Sequence, residues 1–217
     1  AAETQGIQSQ GVTTYCKHFA VNDQESNRDS GGLLTWMNEQ AMREIYIKPF
    51  EIAVKEGGTR GIMSSFNRIG EICAAENADL LTTVLRNEWG FQGLISEDFI
   101  QDANYVVLKE AVLNGVTMSC NTGDNTMAAV SEKYPYWTVE AVSQDTTMMT
   151  ALKQAMKYQN YALANSNAMD GMASNTKLVS VRTWYDNALT AVQIVFAALT
   201  VLAAAMYVLD ERKSKKQ

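Results

Sequence analysis

The chain has 217 residues, of which 47% are hydrophobic and 19% charged, and its formal net charge is −6. That length suits one ordinary domain with a real core, and the composition, with only Pro49 and Pro135 as prolines, excludes a disordered or Pro-rich polypeptide. The acidic balance argues against a nucleic-acid partner, whose phosphates need a basic face, and suits a neutral substrate such as a sugar.

The first residues, AAETQGIQSQG, hold neither the basic nor the apolar segment of a signal peptide. Short apolar or β-branched runs then precede longer helical patterns. A strand is predicted over residues 11–17 and a helix over 36–56, with Met37, Ala41, Ile45 and Phe50 on one side and Pro49 ending or kinking it. Strands are predicted over 61–65, 93–97 and 116–120, and helices over 77–89 and 105–114. Helical patterns fill much of 127–164. Residues 166–187 read as a linker, the 166–183 stretch being rich in Asn, Ser and Met.

Four β–α units in a row imply an α/β fold with a parallel sheet whose strands are covered on both faces. Eight such units close a barrel, so four amount to about half of one, or to a small open sheet. Residues 188–209, ALTAVQIVFAALTVLAAAMYVL, carry no charge. As a helix rising about 1.5 Å per residue they span about 33 Å, close to the hydrocarbon core of a bilayer. Trp184 and Tyr185 before the run, Tyr207 near its end, and Arg212, Lys213, Lys215 and Lys216 after it fit a single-pass membrane helix. Residues 210–217 are then a cytoplasmic tail and the globular domain is extracellular. A buried helix of a soluble core is the alternative.

Cys16, Cys73 and Cys120 are widely spaced, no C-x-x-C pair exists, and His18 is the only histidine, so no zinc site is expected. The thiols are read as small buried hydrophobes, with a Cys16–Cys73 bridge as the alternative in an extracellular chain.

In parallel α/β folds the chemistry sits at the C-terminal ends of the strands, and polar residues gather there. The first predicted strand ends in Lys17-His18, followed by Asn22, Glu25 and Arg28. The second ends in Ser64-Ser65-Phe66-Asn67-Arg68, the third in Glu97-Asp98 and the fourth in Ser119-Cys120-Asn121.

These residues carry a resemblance. The runs KHFAVNDQESNR (17–28), REIYIKPFEIAVKEG (43–57), GIMSSFNRIG (61–70), ADLLTTVLRNEWGFQGLISEDF (78–99) and EAVLNGVTMSC (110–120) resemble, in order, successive segments of glycoside hydrolase family 3 enzymes of the β-glucosidase type. The resemblance covers about residues 11–165. It implies the C-terminal half of a TIM-like (β/α) barrel and a retaining hydrolase of terminal β-D-glycosides, without metal or organic cofactor. Asp98 would be the nucleophile, Lys17 and His18 would hold sugar hydroxyls, Arg28 would support their loop, and Met63 and Phe66 would line the pocket.

The chain departs from the family pattern at two places. Phe66 stands where a tyrosine is frequent, and Glu97 where Ser or Thr is usual, which makes Glu97 a second candidate nucleophile. The P-G-H-G continuation of the β-N-acetylglucosaminidase branch is missing after KHF, so the chain resembles the β-glucosidase and β-xylosidase branch. No segment resembles the one bearing the family's acid/base glutamate, or the first barrel half.

Retaining hydrolysis needs two carboxyls about 5–5.5 Å apart, one ionised and one protonated. A Lys17 cation near Asp98 would favour its ionised form. The expected partners are therefore a β-linked oligosaccharide or glycoside, a membrane, and a missing barrel half on the same or another chain, or a second copy closing the sheet. The expectation is an enzyme part with little activity alone; a membrane-anchored sugar-binding protein or subunit without catalysis, or an unrelated single-pass protein with an α/β ectodomain, are the alternatives.

Overall fold

The computed structural model describes residues 1–28, 32–98, 105–120, 136–170, 175–177 and 179–215. Two units emerge, Ala1–Met172 and Ala173–Gln217.

After α1 (Ala2–Gln8), the first unit is built on three parallel strands, β1 (Tyr15–Phe19), β3 (Gly61–Ser64) and β6 (Leu94–Ser96), in the order β1-β3-β6. Tyr15 pairs with Gly61, Ile62 with Ile95, and Met63 with Ser96. The fourth expected strand is reduced to a parallel bridge between Ser96 and Met118, with the Thr117 and Met118 amides donating to the Ile95 carbonyl. Gly115, at φ 123°, and the Thr117 hydroxyl, which donates to Ile95 O (3.0 Å), break the ladder there, so this segment falls short of a regular strand.

Each strand is followed by helical chain. After β1 come α2 (Glu39–Ala41), a π turn (Met42–Tyr46) and α3 (Lys48–Lys55). The expected continuous helix over 36–56 is therefore divided. The π turn inserts an extra residue, which brings Ile47 inward (1% exposed) and throws Ile45 out (64% exposed), correcting the expectation for Ile45. The break falls just before Pro49, which sits in the first turn of α3, where its missing N–H leaves no bond unmade.

After β3 comes a ten-residue π-helix, Asp79–Glu88, which buries Leu80, Leu81, Val84, Leu85 and Arg86. After β6 comes α4 (Leu108–Leu113). Then α5 (Val139–Gln144) and α6 (Thr146–Ala164) are capped by the Thr138 and Asp145 side chains, which accept from the Ala141 and Met148 amides. Residues 127–135 of the expected helical stretch lie outside the described residues.

The core lies between strands and helices, where Phe19, Ile62, Ile95, Leu81, Leu85, Phe91 and Val116 are buried. Phe19 meets Phe50 edge-on at 5.1 Å and Trp89 at 5.8 Å. Gly93 lets the chain enter β6 closely, since a Cβ there would lie 2.1 Å from the Arg60 carbonyl oxygen. A small second sheet, β2 (Leu34–Thr35), β4 (Arg68–Ile69) and β5 (Ile72–Cys73), was not expected, because two-residue strands leave no alternation to read. After α6, the Asn167 amide donates to Gly11 O (2.8 Å), returning the chain to the segment before β1.

The second unit is dominated by α7 (Trp184–Ser214), 31 residues long, with a capping box between Thr183 and Asp186. It extends the expected apolar run at both ends, and Phe196, Val201 and Tyr207 are 65%, 69% and 71% exposed.

Candidate active site

Asp98 follows β6 by two residues, at the C-terminal end of the parallel sheet. The three β6 residues are buried, so the strand delivers the carboxylate from a rigid base. The register of β1 against β3 shifts between Cys16 and Phe19, which breaks the alternation and buries Phe19 in the core, with His18 beside it partly exposed at the strand end. His18 Nε2 lies 3.5 Å from Asp98 Oδ2, with the two side chains 29% and 11% exposed. The Lys17–His18 and Phe19–Ala20 peptide bonds are cis.

The turn after His18 is fastened to the end of β3. The Ser65 amide donates to Phe19 O (2.8 Å), and Ser65 Oγ and Asn67 Nδ2 donate to Ala20 O at 2.8 and 3.1 Å.

Glu97 is wholly buried. Its Oε1 accepts from Ser119 Oγ (2.9 Å) and from the Cys120 amide, which ties the end of β6 to the Ser119–Cys120 segment. Burial raises the Glu97 carboxyl above the ordinary glutamate range, and the Asp98 charge adds to this. The Cys120 thiol is held up by burial and by Glu97 and Asp98, while Lys17 acts in the opposite direction. Lys17, Glu97, Asp98 and Cys120 thus share one electrostatic neighbourhood. Tyr15, at the start of β1, is pushed up to about 12 by burial.

A second cluster gathers Arg28 and Phe66 around Tyr105. The Phe66 and Tyr105 rings stack at 5.5 Å and 13°. The Tyr105 hydroxyl donates to the carbonyls of Phe66 and Arg28. The Arg28 guanidinium lies 5.2 Å from the Phe66 ring centre and bonds Glu25 Oε2 at 2.9 Å. Met63 is half-buried in β3 opposite Ser96, the residue before Glu97.

His18 and Asp98 are therefore in contact, Lys17 acts on the same neighbourhood, Met63 lies alongside, and Arg28 and Phe66 form a separate cluster. Two parts were missed in the sequence. Tyr105 was read only as the start of a helix, whereas that helix begins at Leu108 and Tyr105 joins two loops. Its partners are backbone carbonyls, which leave no residue pattern. The Ser119–Cys120 hold on Glu97 spans 22 residues of sequence and leaves no local spacing either. Asn121 and Phe99 lie outside the described residues. All three cysteines are free; Cys73 is buried, whereas Cys16 and Cys120 are only partly so, which corrects the expectation of three buried thiols.

The family model for the glycosyl hydrolase family 3 N terminal domain matches residues 2–158. The chain belongs to glycosyl hydrolase family 3. A β-glucosidase from Rhizobium radiobacter is 45% identical over 94 residues, covering 43% of this chain and 11% of that protein. An exo-alpha-(1->6)-L-arabinopyranosidase from Bifidobacterium breve is 41% identical over 128 residues, covering 59% of this chain and 17% of that protein. The structure of β-glucosidase 3B from Thermotoga neapolitana in complex with glucose superposes with a TM-score of 0.64 at 30% identity, covering 76% of this chain and 22% of that one. The family 3 chain thus spans less than a fifth of the length of these curated relatives, and its fold is of the TIM-barrel type.

Proposed function

We propose that this family 3 chain is part of a retaining β-glycosidase of the β-glucosidase type, with Asp98 as nucleophile. The observation that carries the reading is the placement of Asp98, reachable at 11% exposure and 3.5 Å from His18, at the C-terminal end of a parallel strand. Asp98 attacks the anomeric carbon as the bond to the leaving oxygen breaks. A second carboxyl protonates that oxygen, and water later releases the sugar from Asp98. His18 and Lys17 supply donors to sugar hydroxyls. Arg28, held between Glu25 and the Phe66 ring, supports their loop, and Met63 and Phe66 line the pocket. Glu97 is disfavoured as nucleophile, because both its oxygens are buried and one is committed to Ser119 and Cys120. The names of the relatives divide between glucose and arabinopyranose, so the sugar is a terminal glycone of one of these kinds.

The four β/α units are read as one half of a barrel completed by chain outside the described segment. Residues 1–165 are the partial barrel domain, 166–187 the linker, 188–209 a membrane anchor and 210–217 a cytoplasmic tail, with the globular domain outside the cell. The exposed apolar length of α7 supports the anchor. A sugar-binding membrane protein without catalysis is the second reading, favoured by Glu97 and Phe66 at their unusual positions.

A 2-deoxy-2-fluoro glycoside that traps the glycosyl-enzyme, followed by peptide mass mapping, tests the assignment. Gluco- and arabinopyranosyl versions are applied to the full chain in its native membrane. A label on Asp98 is expected; sugar protection without any label supports the non-catalytic reading instead.

A further inference from the structure

Glu97 stands beside the nucleophile, and the reaction gives it no task. Its side chain is fully buried. Oε1 accepts from Ser119 Oγ and from the Cys120 amide. Oε2 is buried and, among the described residues, takes no hydrogen bond. No ion pair to Glu97 is formed among the described residues either.

A carboxylate in that place would hold a full charge with one oxygen wholly unsolvated, which is among the costliest arrangements in a protein interior. A carboxylic acid fits without that cost. Its carbonyl oxygen has two lone pairs for the two donors, and the proton sits on Oε2, where a neutral O–H without an acceptor among the described residues costs less than a buried charge.

The groups around Glu97 agree with a neutral acid. Asp98 follows it in the chain, and the Cys120 thiol, whose backbone amide bonds Glu97, is held up first by burial. Ser119 is a neutral donor. From β1, His18 is engaged with Asp98, and the exposed Lys17 acts on Cys120. The neighbouring strand β3, Gly-Ile-Met-Ser, has no titratable side chain.

We infer that Glu97 is a protonated positioning residue: its neutral carboxyl fastens the end of β6 to the Ser119–Cys120 segment and leaves Asp98 as the one anion facing His18. The Glu97 carboxyl is raised by burial, which outweighs the opposing Ser119 and Cys120 hydrogen bonds, with a smaller push from the Asp98 charge, and this is consistent with the inference. Rising pH eventually removes the proton, sets a second negative charge against Asp98, and loosens the carboxylate that the reaction needs. This role rests on the reading of Asp98 as nucleophile, but the protonation itself does not.

The test is a carbon-13 titration of the full chain in detergent micelles, with Asp and Glu labelled at the side-chain carboxyl and Glu97 assigned through Glu97→Gln. Glu97 is expected to keep its proton at a pH where the surface glutamates have lost theirs. The Asp98 signal is expected to move a second time when Glu97 ionises, and Glu97→Gln, whose amide oxygen still accepts from Ser119 and Cys120, is expected to abolish that second step alone. Infrared detection of a protonated carboxylic acid at neutral pH in the unsubstituted chain reads the same state if the variant does not fold. Ionisation of Glu97 together with the surface glutamates overturns the inference, as does an Asp98 titration identical in both proteins. Absence of the fluoro-sugar label with these titrations intact counts against the nucleophile and leaves the protonated Glu97 in place.

Discussion

Replacing Tyr105 by phenylalanine removes one oxygen from the second cluster and little else. The ring is 7% exposed, stacks on Phe66 at 5.5 Å and lies under the Arg68 guanidinium at 4.5 Å, and phenylalanine keeps those contacts. What disappears is the hydroxyl that donates to the carbonyls of Arg28 and Phe66. One hydroxyl has one proton, so the two contacts share it and are not counted twice. A net hydrogen bond contributes about 1 kcal/mol, and a buried acceptor left unmade costs about 1–3 kcal/mol. The expected loss is therefore about 2 kcal/mol. For a chain of this size that is a fall of about 4–8 °C in melting temperature. Thermal unfolding followed by near-ultraviolet circular dichroism in micelles measures it, with Tyr105→Leu, which also loses the stacking, expected to fall further. A Tyr105→Phe midpoint within about 1 °C of the parent would refute the assignment of Tyr105 as the tie between the two loops.

Three further outcomes follow from the same geometry. Gly93→Ala places a methyl group against the Arg60 carbonyl, where backbone must move, and is expected to cost about 3 kcal/mol or more in urea unfolding. Arg86→Lys is expected to lower the unfolding free energy measured in urea by about 1–3 kcal/mol, because the buried guanidinium bonds the carbonyls of Phe91 (3.1 Å) and Gly93 (2.5 Å) and packs 3.6 Å from the Tyr158 ring centre, and an ammonium cannot copy that planar contact. Asp145 is held well below the usual aspartate range by the Met148 amide, the Tyr136 hydroxyl and Lys109. A carboxyl depressed on folding adds stability above its unfolded pKa and loses it as pH falls through the folded value, so the parent should melt progressively lower in acid and Asp145→Asn should flatten that limb. Melting temperature against pH for the two proteins decides it.

Much of the strand framework could be read from the chain. The apolar runs around Ile62 and Ile95 are short and bounded by glycine, and they became β3 and β6 within one or two residues. The helices were harder. The pattern around Met37 to Phe50 has helical spacing on either side of an extra residue, and only the three-dimensional turn reveals that Ile47 takes the inward position. The position of Asp98 at the end of β6 was legible because an apolar strand ending in a carboxylate is unusual. The hold on Glu97 was not legible, since hydrogen bonds to a distant serine and to a backbone amide have no signature in spacing. The Phe66 position was read as the loss of a hydroxyl; the structure supplies one from Tyr105 on the stacked ring, turned toward backbone carbonyls.

The hydrogen bond from Asn167 to Gly11 has a mechanical meaning. Gly11 precedes β1 at the N-terminal pole of the strands, while His18 and Asp98 lie at the opposite pole. A pull on the chain as it leaves the first unit would load the Asn167–Gly11 clasp and the root of the sheet, and would leave the far pole, where His18 and Asp98 meet, out of the line of force.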